Sequence, residues 1–567
     1  HFYPYWIGLG KLDVQNSTMK KYIYLFLLIL SHWTYGHVGS AGVQMQGQAG
    51  PYKILVSIQP PDVIPGTARV SVFVENGHVS NIEARPIYFR SGDKGAPSPD
   101  KLTPVKGQLS QFEGDIWLME SGSSSAQITV EGDKGTGELI VPVMAMSTAQ
   151  REMPAGLGIG LSILGIILFT LLITTIGASV SDGLLPKGET LSRAKRKKKY
   201  LHMAVASMVC ALILYGGSSW WDAWAAQYKK HLYQPVKGNA AVITQGNERI
   251  FKVTIDTADS QPQKRGNMLS TLIPDHGKLM HAFLIRIPGL DAFAHVHPER
   301  QDSTTFQTAL PDLPGGKYVV YADIVRYSGF SETITDTIVI ADHTRTVPET
   351  PKFSEDTYIV TDPINAPGNV AMDADVVICG KPGTKTVFQD GSYAIWEGKP
   401  DQALEAGKAY QLNFEIFNPD NSPCLPEPYL GMMGHAVVMR TDGSVYVHLH
   451  PSGSFPMAAE QIFKDRISDT TKLIKRPSSV IFKDKVDIYL AKLKAMSVLE
   501  REEFLMTEMG MYEPNESGMV GMDHGSRISF PYSFPKEGRY RIFLQVKRNE
   551  RVLTGAFDVK VKGPSVL

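Results

Sequence analysis

Two uncharged stretches lying close together constrain this chain more than any other feature. From Pro154 to Ser181 no residue is charged, and Leu157 to Ile176 is almost wholly apolar. A helical run of that length crosses the roughly 30 Å hydrocarbon layer of a bilayer. A second run, from Tyr200 to Trp221, gathers Tyr215, Trp220, Trp221 and Trp224 at one end, the residue types that form interfacial belts. Between the two lie Lys187, Arg193, Lys195, Arg196, Lys197, Lys198 and Lys199, opposed only by Asp182 and Glu189. Such a positive excess in a short connection predicts a cytoplasmic loop. The expectation is a transmembrane hairpin with helices over 155–178 and 200–221, a basic loop over 179–199, and both flanking segments on the opposite side. Topology explains the basic run without nucleic acid, and 57 Lys+Arg balanced by 57 Asp+Glu leave no global field to attract it.

Near the start, Met19-Lys20-Lys21 followed by Tyr22 to Leu30 reads as the charged and apolar parts of a secretory signal. Residues 1–18 read as upstream read-through, and Gly39, Ser40 and Ala41 supply a cleavage region for a signal over 19–41, the alternative being that the apolar run stays as a short uncleaved anchor. These features together predict a bacterial inner-membrane protein, with the lipid bilayer as a partner and both large segments in the periplasm. Three cysteines are too few for a disulfide scaffold. Cys210 sits in the second apolar run, where packing is its expected role, while Cys379 and Cys424 either pair or remain two thiols.

A chain of 567 residues exceeds one hydrophobic core and calls for three or four units. Between 42 and 150, the alternation in Lys53-Ile54-Leu55-Val56-Ser57-Ile58 and Ala68-Arg69-Val70-Ser71-Val72-Phe73-Val74 is broken by Pro and Gly clusters. That is the pattern of short strands in a sandwich. After the second span one pattern occurs twice. Met280-His281, then Phe293-Ala294-His295-Val296-His297-Pro298, then Gly316-Lys317-Tyr318 is answered by Gly434-His435, Val447-His448-Leu449-His450-Pro451 and Gly538-Arg539-Tyr540. The copies mark sandwiches at 236–345 and 356–562, the second carrying an insertion at about 452–528 that looks helical over 485–511. The fold class expected is mainly β: several immunoglobulin-like β-sandwich domains plus a two-helix transmembrane hairpin.

Asp442-Gly443 between two apolar runs signals a two-residue hairpin. Pairing Thr441 with Ser444 places His435 opposite His450 and Val437 opposite His448, so three imidazoles leave one face. Opposed Cβ atoms are about 5 Å apart, within reach of a common ion. His281, His295 and His297 repeat the spacing with a loop one residue longer, which fixes the register less firmly. Two readings stand side by side: a metal site, or a buried polar network in which the histidines are structural. Met280, Met432 and Met433 adjoin the histidines, and thioether with imidazole suits copper, with zinc as the alternative. The candidate metal ligands are therefore His281, His295, His297, His435, His448 and His450, with Met280 and Met433. Met506, Met509, Met511, Met519, Met522 and His524 in the insertion are either a soft-metal patch or helix packing. No cysteine lies near either set, which argues against a blue-copper carrier. The sequence carries no nucleophile elbow, phosphate-binding glycine loop or carboxylate pair of defensible geometry, so no catalytic residue, no organic cofactor and no enzyme activity are expected.

Lys278-Leu279-Met280-His281 with Phe293 to Pro298, and Pro428 to His435 with His448-Leu449-His450-Pro451, resemble the YtkA-like and FixH-like group of exported bacterial β-sandwich proteins. The resemblance covers about 240–345 and 356–562, while the first exported segment shares only the strand layout and lacks the histidines. It implies a periplasmic factor for copper handling, delivery or homeostasis, working with a membrane or periplasmic complex or a metal donor or acceptor. The alternative is a non-metal assembly or adhesion scaffold for a membrane complex.

Overall fold

In a computed structural model, the alternating segments of the sequence form three β-sandwiches and a helical hairpin. The structure describes residues 37–38, 42–150, 153–181, 188–246, 248–256, 271–342, 354–364, 385–398, 404–471, 474, 477–508 and 525–563. The expected read-through and nearly all of the expected signal lie outside these residues, as do Cys379 and Met509, Met511, Met519, Met522 and His524.

Helix α1, Ala155–Ser181, and helix α2, Arg193–His231, are both long and apolar enough to cross a membrane. The end of α2 and the residues after it meet the segment leading into α1: the Tyr228 hydroxyl donates to the Ala149 carbonyl at 3.3 Å and the Tyr233 amide to the Ser147 carbonyl at 2.8 Å. Ile166, Leu168, Ile213, Leu214 and Trp221 point outward with no protein over them, and an apolar surface of this extent belongs in a bilayer. The second helix is longer than the 200–221 span. Arg193–Lys199, expected in a loop, instead form its first turns. Ser192 starts them by accepting the Lys195 amide at 3.3 Å, and Lys and Arg are good helix formers.

The first sandwich pairs a five-stranded sheet with a four-stranded one, and Ile54, Val56, Ile58, Val70 and Val72 alternate into its core. In the second sandwich, strands β1 (His281–Ile287), β2 (Ala292–Val296) and β3 (Gly316–Arg326) share a sheet with β4 (Thr357–Val360). The boundary expected at 356 is thus one strand too early: β4 pairs antiparallel with β2, and Tyr358 packs against the second core. The third sandwich contributes β5 (His435–Arg440), β6 (Val445–Leu449), β7 (Gly538–Arg548) and β8 (Arg551–Lys562). Its hairpin has the expected register, with Val437 opposite His448; in the first copy Phe283 faces His295, the equivalent pairing.

Strand pleating then sorts each sheet into two faces. Ala282, Leu284, Ala294 and Val296 enter the second core, and Ala436, Val438, Val447 and Leu449 the third. The alternate residues face the other sandwich. Phe283, Ile285, Phe293 and Tyr321 meet Val437, Met439, Tyr446 and Phe543 in a shared apolar layer. Phe293 stacks on Phe543 with ring centroids 4.3 Å apart, and Tyr321 on Tyr446 at 3.9 Å. Arg541 of β7, paired with Asp558 at 2.5 Å, crosses the layer to donate to the Leu290 and Asp362 carbonyls at 2.9 and 2.8 Å.

The insertion forms helices α3 (Met457–Ser468), α4 (Ser479–Ala495) and α5 (Val498–Glu508). They bind all three sandwiches together. Arg466 donates to the Phe89 carbonyl of the first at 2.7 Å, the Ala458 amide donates to Asp275 of the second at 2.9 Å, and Glu502 accepts the Gly431 amide of the third at 2.6 Å.

Because Phe293 is fully buried between two sandwiches, Phe293→Ala should lower stability by about 3–5 kcal/mol. Urea unfolding followed by intrinsic fluorescence measures this; an unchanged midpoint would show that the layer does not couple the two sandwiches.

Candidate metal centre

The shared face has a second half. Two residues along the strand from Phe283, Phe293, Val437 and Tyr446, the same pleat presents His281, His295, His435 and His448, and His297 and His450 follow where β2 and β6 end. All six predicted histidines are brought together in the interior between the second and third sandwiches, where a seventh, His276, joins them. Sequence comparison hides His276 because it falls in a turn, at the position that Leu430 holds in the other copy. Both residues lie five before the first strand histidine, at φ 52° and 51°. The one available signal was an imidazole in the turn Pro274-Asp275-His276-Gly277 that the repeat does not share.

Two sets of three arise, each with one nitrogen per ring within 4.8 Å of the others: His276, His435 and His450, and His281, His295 and His297. The first set draws on both sandwiches. The second belongs to one. His448 is in neither set but stands beside both, its ring centroid 4.5 Å from that of His450 and 5.5 Å from that of His281. Supports cross the interface in a reciprocal way. Asp323 and Gln545 hold equivalent positions, paired with His281 and His435 respectively. His295 Nδ1 meets Gln545 Oε1 at 2.8 Å, and His448 Nδ1 lies 3.8 Å from Asp323.

The outer nitrogens are held by the protein. His281 Nε2 donates to the Asp275 carbonyl at 3.0 Å, His450 Nδ1 to the Phe455 carbonyl at 2.8 Å, and His297 Nδ1 to Asp356 at 2.9 Å. This is the support that metal-ligating histidines usually have, one nitrogen anchored and the other free. With Nε2 protonated, His281 turns a bare Nδ1 lone pair inward. His295 holds its Nδ1 2.8 Å from the Gln545 side-chain amide and turns Nε2 inward. These two nitrogens lie 3.2 Å apart. They can share one proton or hold a metal ion between them. Moreover, His276 Nδ1, His297 Nε2, both nitrogens of His435 and His448 Nε2 are buried with no hydrogen-bond partner among the described residues. Each such group costs about 1–3 kcal/mol if left unmet, which disfavours the purely structural network.

Burial lowers the pKa of all seven imidazoles, that of His281 to about 3. They are therefore neutral, the form in which imidazole binds metals. Burial also raises Asp356 to about 8 and Asp323 to about 6. A cleft of about 110 Å³ leads in from the surface, with Asp275, Asp323 and Thr333 beside His281, His448 and His450.

The methionines lie elsewhere. Met280 is turned away from His281 into the core of the second sandwich, as the pleat requires for its neighbour. Met432 and Met506 pack with the core of the first sandwich, and Met433 lines a cleft of about 900 Å³ between the first and third.

The depressed imidazole pKa values set the pH response of the metal-free protein. Between the unfolded value near 6.5 and the lowered folded values, the unfolded chain holds more protons, so stability falls as pH falls. Asp323 and Asp356, raised in the folded state, act in the opposite sense, but two carboxylates face seven imidazoles. The melting temperature of the metal-free protein should drop between pH 7 and pH 5. A flat or rising profile by calorimetry would contradict neutral burial.

Comparison with known proteins places one part of the chain. A family model described as a domain of unknown function (DUF8832) matches residues 386–473 and 510–563. The match takes in strands of the third sandwich and omits α4 and α5. No curated protein matches the sequence. Among solved structures, a tetra-tandem repeat from the extending region of a large adhesion protein is 6% identical, covering 88% of this chain and 71% of its own, with a TM-score of 0.14. A membrane-anchored protein from Corynebacterium diphtheriae is 9% identical over 93% of this chain and 97% of its own, TM-score 0.14. Salmonella alpha-2-macroglobulin is 9% identical over 90% of this chain and 24% of its own, TM-score 0.17. Scores this low carry no functional inference.

Proposed function

We propose that this is a membrane-anchored protein of the bacterial envelope that binds copper at the histidine centre between its second and third sandwiches, for handling or delivery to a partner. The observation that carries the reading is the gathering of seven imidazoles in one interior, where five ring nitrogens have no hydrogen-bond partner among the described residues. The argument for copper does not involve Met280, which lies in the core of the second sandwich, and does not need Met433, which lines the cleft between the first and third. It rests instead on an all-nitrogen donor set, for which divalent affinity peaks at copper, zinc being next to consider. The resemblance of the His-x-His-Pro repeats to YtkA-like proteins favours the same choice. Ligand binding rather than turnover fits a cage with no nucleophile and no charged acid–base pair assigned to a substrate.

Full-length protein purified in detergent without added metal should retain copper, and the triple variant His435→Ala, His448→Ala, His450→Ala should lose about half of it or more while keeping its circular dichroism. Equal metal content in the folded variant would sink the site.

The basic first turns of α2, Arg193–Lys199, favour placing the connection between the helices in the cytoplasm, with all three sandwiches outside. A reporter enzyme active only outside the cytoplasm should then be active when fused after residue 235 and silent when fused at 190. The reverse pattern would invert the topology.

A further inference from the structure

We propose that the seven histidines form a dinuclear centre, with one ion held by His276, His435 and His450 and a second by His281, His295 and His297. The proposal rests on the metal-binding reading above and adds the number of ions and the division of labour between them.

Three observations carry it. First, capacity: a tetrahedral ion accepts about four imidazoles, so a single ion would leave at least three of the seven buried rings without one. Second, spacing: four-coordinate metal–nitrogen bonds of about 2.0–2.1 Å place neighbouring ligand nitrogens about 3.3–3.4 Å apart. Each set already contains one pair near that value, His276 Nε2 with His450 Nε2 at 3.2 Å and His281 Nδ1 with His295 Nε2 at 3.2 Å. Third, orphan nitrogens occur in both sets, at His435 in one and at His297 Nε2 in the other. One ion could not reach them all.

The two ions would differ in kind. The first set takes His276 from the second sandwich and His435 and His450 from the third, so its ion ties the two bodies together. The second set lies on the β1–β2 hairpin and the residue that follows it, within a single sandwich. His448, beside both sets and with its Nε2 unpartnered among the described residues, is available as a further ligand to either ion. The cleft past Asp275 and Asp323 opens on His281, His448 and His450 and therefore serves both.

The internal duplication supplies the variant for the test. His276→Leu installs the residue that the other copy tolerates at the same backbone position, Leu430, with nearly the same φ. His297→Asn keeps an amide at the Nδ1 position, where it can still bond Asp356, and removes Nε2. Metal-free full-length protein in detergent is titrated with Zn(II), and in an anaerobic arm with Cu(I), then desalted and its metal counted per chain. The arm that retains more metal should give two ions for the parent and one for either variant. Only the His276→Leu protein should lose the metal-dependent rise in melting temperature that reports joined sandwiches. One ion in the parent would overturn the dinuclear centre and leave metal binding intact. No ion in either arm would overturn both. Two ions in parent and variants alike would show that these sets are not the sites.

Discussion

The structure depends on one contact, the packing of the outer face of one sheet against the outer face of its copy. Sandwiches ordinarily leave that face to water, with polar residues on it. Here β1 and β2 meet β5, β6 and β7 through Phe283, Phe293, Tyr446 and Phe543, so that everything farther along the same pleats is also removed from solvent. The histidines are dry because the phenylalanines and tyrosines beside them are in contact. Apolar packing thus provides the energy that holds unprotonated imidazoles together, and the insertion closes the cage from above through Asp275 and Glu502.

The duplication gives this interface an approximate two-fold character, and the departures from symmetry are where the chemistry becomes specific. Asp323 and Gln545 are counterparts, yet one is a carboxylic acid and the other an amide; Gln545 bonds His295 of the opposite sandwich, while Asp323 bonds Tyr446 and lies 3.8 Å from His448. His276 and Leu430 are counterparts, and only the first can be a ligand. Tyr429, next to Leu430, instead sends its hydroxyl to the Glu355 carbonyl at 2.9 Å and lies 3.2 Å from His295 Nδ1. Two copies of one domain have diverged into unequal halves of one interior.

Much of this was legible from local pattern. Strand alternation, the Asp442-Gly443 turn and the repeated His-x-His-Pro set the sheets and the register that puts His435 and His448 on one face. Periodicity cannot say what a face is packed against, so the meeting of the two histidine sets, and the crossing of His276 from one to the other, lay beyond it. The thioether expectation went astray for a related reason. Met280 is adjacent to His281 in sequence, and in a strand adjacency means opposite sides. Helix α2 began earlier than the charge pattern implied because lysine-rich sequence is compatible with helix as readily as with loop.

Strand β4 has a consequence for how the chain can be divided. A fragment ended at the apparent boundary near 356 would keep every histidine of the second sandwich but lose Thr357–Val360, the strand that covers β2. The edge laid bare would be the one carrying His295, with its backbone amides and carbonyls unpaired beside a row of exposed aromatic side chains. Such an edge recruits other chains rather than water. The second sandwich is therefore completed by sequence that the repeat pattern assigns to the third, and the pair folds as one piece.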